Sequence, residues 1–182
     1  MRMQRSCTFL LGIVIAMLVG ACAAPAPPLE MRDASHSMIF GHVMAPDKVT
    51  EVELREYGKF YISPFVKPPR VLIFNNGNFM AENLKPGRYI ISAFNTKGSE
   101  FVLVNSKRSA YQDVIHVEAG EAKFIGSYQI SEIKRGLLKK GEFDVRRTRK
   151  PSERRVLKHL FHVAKGTAWQ AMIEHRMQEL RQ

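Results

Sequence analysis

The sequence of 182 residues contains only two cysteines, Cys7 and Cys22, and both lie near its N-terminus. Because no thiol occurs beyond residue 22, disulfide bonds cannot stabilise the rest of the chain. The same absence excludes a cysteine nucleophile and a cysteine-ligated metal site from that part of the protein. The fold must therefore depend on burial of apolar side chains. Hydrophobic residues make up 45% of the sequence, which is ordinary for a globular protein.

Motifs that would indicate a known reaction are also missing. The sequence contains no Gly-x-Ser-x-Gly nucleophile elbow, no phosphate-binding loop and no His-Glu-x-x-His metal motif. His159 and His162 are three residues apart on a predicted helix, but a zinc site needs three or four ligands. We therefore predict a protein without catalytic residues, bound metal or cofactor, which is not an enzyme.

Residues 1–21 have the pattern of a secretory signal peptide. Two arginines precede an apolar run from Phe9 to Val19, and small residues follow it. The end of this stretch, Val-Gly-Ala-Cys, resembles the lipobox of bacterial lipoproteins. The resemblance implies cleavage before Cys22 and attachment of lipid to its thiol. Residues 22–36, whose first part is rich in proline and alanine, would then tether the protein to a membrane.

The expected location is the cell envelope. By the same resemblance, Ala23 after the cysteine implies the outer membrane in a cell with two membranes, with the protein on its periplasmic face. The alternative is an uncleaved membrane helix, because no residue between Ser6 and Leu29 is charged and about 20 residues span a bilayer. The strongly apolar part is shorter than that, which favours the signal peptide.

Positive charge is concentrated in the C-terminal extension, residues 134–182. It carries 14 basic and 5 acidic side chains, whereas residues 22–133 carry 12 of each. We interpret the excess as a surface for anionic lipid headgroups, cell-wall polymers or an acidic envelope partner; the alternative is a surface that only keeps the protein soluble. Nucleic acid, the usual partner of such a run, is not expected outside the cytoplasm. The candidate binding residues are Arg146, Arg147, Arg149, Lys150, Arg154 and Arg155.

Residues 37–133 are predicted to form an antiparallel β-sandwich of seven or eight short strands. Polar and apolar side chains alternate at 51–55, which is the period of a half-buried strand. An Asn-Gly pair at 76–77 and a Pro-Gly pair at 86–87 indicate turns between strands. The residues predicted to share one face of the last strand are Phe124, Gly126, Tyr128 and Ile130.

The stretch from Gly77 to Tyr89 resembles the G-x-F-x-x-x-x-L-x-P-G-x-Y pattern of carboxypeptidase regulatory-like domains, which are transthyretin-like β-sandwiches. Phe79 and Leu84 stand at the apolar positions of this pattern and are expected to point into the core. The resemblance extends over about residues 37–130. It implies a fold rather than an activity, because this sandwich serves binding, structural and accessory roles.

The extension is predicted to contain one more strand, at 141–145, and a basic helical hairpin. Ser152 is placed to cap the first helix, Gly166 to end it and Thr167 to cap the second. We expect the hairpin to pack on the protein's own sandwich, with docking on a partner as the alternative. The apolar stripes are Val156, Leu157, Leu160, Phe161 and Ala164 in the first helix, and Trp169, Met172, Ile173, Met177 and Leu180 in the second.

An aromatic loop precedes Arg70 and contains Tyr57, Phe60, Tyr61 and Phe65. Such a loop can stack on a sugar or fill a partner's pocket, or it can fold back as a lid on its own core.

Two functions are therefore expected as alternatives. The first is a non-enzymatic lipoprotein that acts as a binding or scaffold module, whose basic extension contacts an anionic membrane or a partner. The second is an accessory subunit of a transport or envelope-assembly system, which binds sugar or peptide through Tyr57, Tyr61 and Phe65.

Overall fold

The computed structural model describes residues 29–58, 68–97, 100–103, 113–136 and 139–182, with the backbone alone between 132 and 142. The predicted signal peptide, Cys22, and Tyr61 and Phe65 of the aromatic loop lie outside the described residues. The predicted fold class is confirmed: the described chain is mainly β-structure in two sheets, followed by two helices.

The described part contains nine strands: eight begin within residues 37–133, and the ninth covers the additional strand predicted at 141–145. They are β1 (Ser37–Met44), β2 (Val49–Glu56), β3 (Val71–Ile73), β4 (Asn78–Leu84), β5 (Gly87–Thr96), β6 (Glu100–Val102), β7 (Ile115–Val117), β8 (Ala122–Gly136) and β9 (Lys139–Thr148). One sheet has five strands in the order β3-β4-β1-β8-β9. The other has four, in the order β2-β5-β6 with β7 also paired to β5.

Most neighbouring strands are antiparallel, as predicted, but β1 and β8 are parallel. The chain between them includes strands of both sheets, and β8 pairs with the edge of β1 opposite β4. β8 continues through Gly136 and pairs with β9 along most of its length. The boundary expected between residues 133 and 134 therefore falls inside one strand, and residues 134–148 of the extension include the end of β8 and the whole of β9, which complete the five-stranded sheet.

Two apolar clusters stabilise the fold, and β1 contributes to both. Ile39 and Val43 point between the two sheets, where Phe79, Leu84 and Tyr89 are also buried as the sequence pattern predicts. Met38 and Phe40 point to the other face of the five-stranded sheet, which the helices cover. A strand that is buried on both faces has an uninterrupted apolar run instead of strict alternation, and Met38 to Phe40 is such a run.

The prediction that Phe124, Tyr128 and Ile130 share one face is wrong at Phe124. Phe124 packs against the cluster beneath the helices, whereas Tyr128 and Ile130 lie in the cluster between the sheets. The pairing of β1 with β8 shifts register between Phe40 and His42, opposite Gly126, which has a φ of 117°. A bulge at this glycine changes which face the following side chains occupy.

The two helices, α1 (Glu153–Val163) and α2 (Ala168–Glu179), form a helical layer on the outer face of the five-stranded sheet. Ser152 and Thr167 stand at their N-caps as predicted, although neither makes a side-chain capping bond. Gly166 adopts a φ of 80° between the helices, a conformation that glycine permits. The hairpin therefore docks on the protein's own sandwich, where Trp169 is completely buried.

Candidate functional site

Two of the predicted anion-binding residues, Arg146 and Arg147, make ion pairs within the sheet. Arg146 contacts Asp144 at 2.6 Å. Arg147 contacts Asp113 at 2.7 Å, and its guanidinium lies 5.8 Å from the centre of the Tyr128 ring. Both arginines lie near the end of the strand β9, so strand pairing and their carboxylate partners hold them close to the sandwich.

The other four predicted residues, Arg149, Lys150, Arg154 and Arg155, are exposed. The first two precede the helix α1, and the other two lie in its first turn. Among the described residues none of the four forms an ion pair. Together with Lys158 and Lys165 they form the basic face. Arg154, Arg155 and Lys158 lie on the side of α1 opposite its buried residues, and Lys165 is an exposed residue just after the helix.

The acidic residues of the helical layer do not neutralise this basic face. Glu153 in the first turn of α1 accepts a hydrogen bond from Arg176 of α2 at 2.7 Å. The same arginine pairs with Glu179 at 2.8 Å, and Glu179 also contacts His175 at 3.3 Å. Glu153 therefore joins the two helices and Glu179 pairs within α2, so neither carboxylate pairs with a cation of the basic face.

Two histidines next to the basic face, His159 and His42, have lowered pKa values. Burial lowers the pKa of His159, and the neighbouring His162 adds to the effect. The ring of His159 meets the edge of Phe74, with 5.3 Å between the ring centres. Burial also lowers the pKa of His42, with a further contribution from Arg155, against a hydrogen bond to the Asn76 carbonyl. A lowered pKa makes both side chains weaker sources of positive charge than the arginines and lysines of the basic face.

A second feature is a charged cleft of about 710 Å³ at the opposite end of β4 from His159. Its described walls come from the N-terminal segment, the approach to β3, and the turn between β4 and β5. Acidic and basic side chains are present in equal number, which distinguishes the cleft from the basic face. They are Glu30, Glu56 and Glu82, and Arg32, Arg70 and Lys85.

Glu82 is the most buried of these charged groups, with 8% of its surface exposed. Its Oε2 accepts a hydrogen bond from Nε1 of Trp169 at 3.1 Å, and its Oε1 lies 3.8 Å from Arg70. Burial raises the pKa of Glu82, and Arg70 and Trp169 only partly oppose that effect. Glu82 was not among the residues predicted from the sequence, because a glutamate on the outer face of a strand is normally solvated. Its contact with Trp169 forms only when α2 docks on the sheet.

Tyr57 lies beside the cleft, next to Glu56. The guanidinium of Arg88 lies over its ring, 5.0 Å from the centre, and 46% of the tyrosine remains exposed. A partly exposed ring with a cation on one face is consistent with the predicted role of this tyrosine in ligand contact, while the rest of the aromatic loop is not described.

The structure offers no metal site within the described ranges, where no three His, Cys, Asp or Glu side chains converge. None of the described helices combines the length and hydropathy that a membrane crossing requires. No protein-family model matches the chain, and a search of curated proteins found no match. The basic face and the charged cleft are therefore the two features from which a function can be inferred.

Proposed function

We propose that this protein is a non-enzymatic, lipid-anchored protein of the cell envelope, whose basic face binds anionic lipid headgroups. The observation that carries the proposal is that Arg149, Lys150, Arg154 and Arg155 are exposed and make no ion pair among the described residues. Each basic residue close to an anionic membrane contributes about 1 kcal/mol, so four of them suffice for reversible surface binding.

The position of the N-terminal segment supports this arrangement. Leu29 and Met31 pack against the same apolar cluster as the two helices. Leu29 is seven positions after Cys22, and a chain spans at most about 3.6 Å per position, so a lipidated Cys22 would lie within about 25 Å of Leu29. An anchor at that distance would keep the helical layer near the membrane surface, where headgroup contacts form at high effective concentration.

The test is the binding of residues 29–182, which carry no anchor, to phosphatidylcholine vesicles with and without phosphatidylglycerol. We expect flotation with the anionic vesicles only, and weaker binding as salt increases. The double variant R154Q/R155Q removes two cations from the basic face and should weaken binding by about 2 kcal/mol, which is about 30-fold.

The matched control is R146Q/R147Q, which removes the same charge from two residues whose cations are already paired with Asp144 and Asp113. We expect a change of less than about threefold, since paired surface cations contribute little further attraction. Equal losses in the two double variants would mean that net charge, and not the basic face, controls binding. Equal binding to neutral vesicles would contradict the proposal as a whole.

A further inference from the structure

The charged cleft is held open by hydrogen bonds within its walls. Asn83, at the end of β4, has a φ of 59°. Its Oδ1 accepts from the backbone N–H of Arg32 at 2.8 Å, and its Nδ2 donates to the carbonyl of Glu30 at 2.7 Å. On the other side, the hydroxyl of Tyr89 donates to the carbonyl of Lys85 at 2.8 Å. The cleft is therefore preformed, which reduces the cost of ordering it around a ligand.

At the base of the cleft lies a carboxylate whose charge its neighbours compensate only in part. Arg70 approaches Glu82 at 3.8 Å, which is longer than a hydrogen bond. Trp169 supplies one neutral donor to the other oxygen. A buried carboxylate is stabilised most strongly by a cation that also donates hydrogen bonds, and a primary ammonium has three such donors.

The rim of the cleft supplies the opposite charge. Arg32, Arg70 and Lys85 are exposed cations on three different segments of its wall. A ligand whose only charged group is an ammonium would pair with Glu82 at the bottom of the cleft and leave these three cations without a ligand contact. The volume of the cleft, about 710 Å³, is within the range of pockets that bind drug-sized ligands. A short peptide is a ligand of that size.

We propose that the charged cleft binds short peptides, with a free amino group against Glu82 and a free carboxylate against Arg70 or Lys85. This site is separate from the basic face, and its occupation does not depend on membrane contact. Asn83 and Tyr89 already fix two of the walls, the N-terminal segment and the turn between β4 and β5. The ligand ammonium replaces the long contact between Glu82 and Arg70, and it leaves Arg70 available for the carboxylate.

The experiment titrates the full chain, purified in a non-ionic detergent, with three peptides. Trialanine has both termini free, N-acetyl-trialanine lacks the ammonium and trialanine amide lacks the carboxylate. Binding is followed through the fluorescence of Trp169, the only tryptophan, whose Nε1 contacts Glu82. We expect saturable binding of trialanine, and an affinity about tenfold or more lower for N-acetyl-trialanine, because a hydrogen-bonded charge pair is lost. The amide should bind with intermediate affinity.

Two variants identify the site. E82Q removes the charge but retains an oxygen that accepts from Trp169, so the helical layer stays docked; it should weaken trialanine binding about tenfold. The matched control E100Q removes an exposed carboxylate outside the cleft and should leave the affinity unchanged.

Equal affinities for trialanine and N-acetyl-trialanine would overturn the proposal without requiring any variant. Absence of saturable trialanine binding at millimolar concentration would overturn it too. Neither result would affect vesicle binding by the basic face, so the two proposals can fail separately.

Discussion

Leu160 provides the sharpest test of how the helical layer is attached. Its side chain is completely buried in the middle of α1, within the cluster that also contains Phe40 and Trp169. Replacement of Leu160 by Ala removes three carbons, the Cγ methine and two methyl groups, from this cluster and leaves a cavity. Buried Leu→Ala substitutions cost about 2–5 kcal/mol, and for a site closed on all sides by sheet and helices we expect about 3 kcal/mol.

For a chain of this size that loss corresponds to a decrease in Tm of about 6–12 °C. The assay is thermal and urea unfolding, followed in parallel by far-ultraviolet circular dichroism and tryptophan fluorescence. Because Trp169 is the only tryptophan and is completely buried, its emission reports directly on docking of the helical layer. We expect its transition in L160A to occur at lower urea concentration than in the parent protein.

The matched control is Val163→Ala in the same helix, where the side chain is 38% exposed. This change should cost less than about 0.5 kcal/mol. If L160A were as stable as V163A, with unchanged tryptophan emission, the helical layer would not be packed on the sheet as described, and the burial of Glu82 would lose its cause.

Three further predictions follow from the same contacts. Burial raises the pKa of Glu82, so the carboxyl group binds a proton more tightly in the folded protein than in the unfolded chain. The free energy of unfolding should therefore rise as the pH falls from neutral through the raised pKa to the ordinary glutamate range. Urea unfolding of E82Q should lack this part of the pH dependence. Gly41→Ala would place a Cβ 2.6 Å from the Phe79 ring and should lower the free energy of unfolding by about 1–3 kcal/mol, whereas Gly87→Ala, with no contact nearer than 3.7 Å, should cost less than a third of that. Arg147→Gln removes a half-exposed ion pair and should cost less than about 1 kcal/mol, a loss that decreases in high salt.

The local signals in the sequence located most strands and both helices. Pro86 and Gly87 mark the turn before β5, and Gly77 takes the left-handed conformation that its turn requires. The expected Asn-Gly turn differs in detail, since Asn76 has no positive φ and its Oδ1 instead accepts a hydrogen bond from the N–H of Asn78 at 3.1 Å.

The candidate site was predictable only in part. Arg154 and Arg155 follow an N-cap and oppose an apolar stripe, so their exposure could be predicted from helical periodicity. The partner of Arg147 was not predictable, because Asp113 lies more than thirty positions away in the sequence and is not its strand neighbour, whereas Asp144, the partner of Arg146, is two positions away on the same strand. The lipid anchor at Cys22, the carboxypeptidase regulatory-like resemblance and the absence of catalysis remain predictions.

The sequence by itself determined the alternation of strands, the position of the turns, the two amphipathic helices and the concentration of positive charge after residue 134. These features depend on interactions between residues close in the chain, whose spacing is visible in one dimension. Only the tertiary structure decided that β1 is buried on both faces, that β8 runs parallel to it, and that Glu82 lies beneath Trp169. Each of these depends on which distant segments pack together, and burial of a charge is a property of that packing and not of the residue itself.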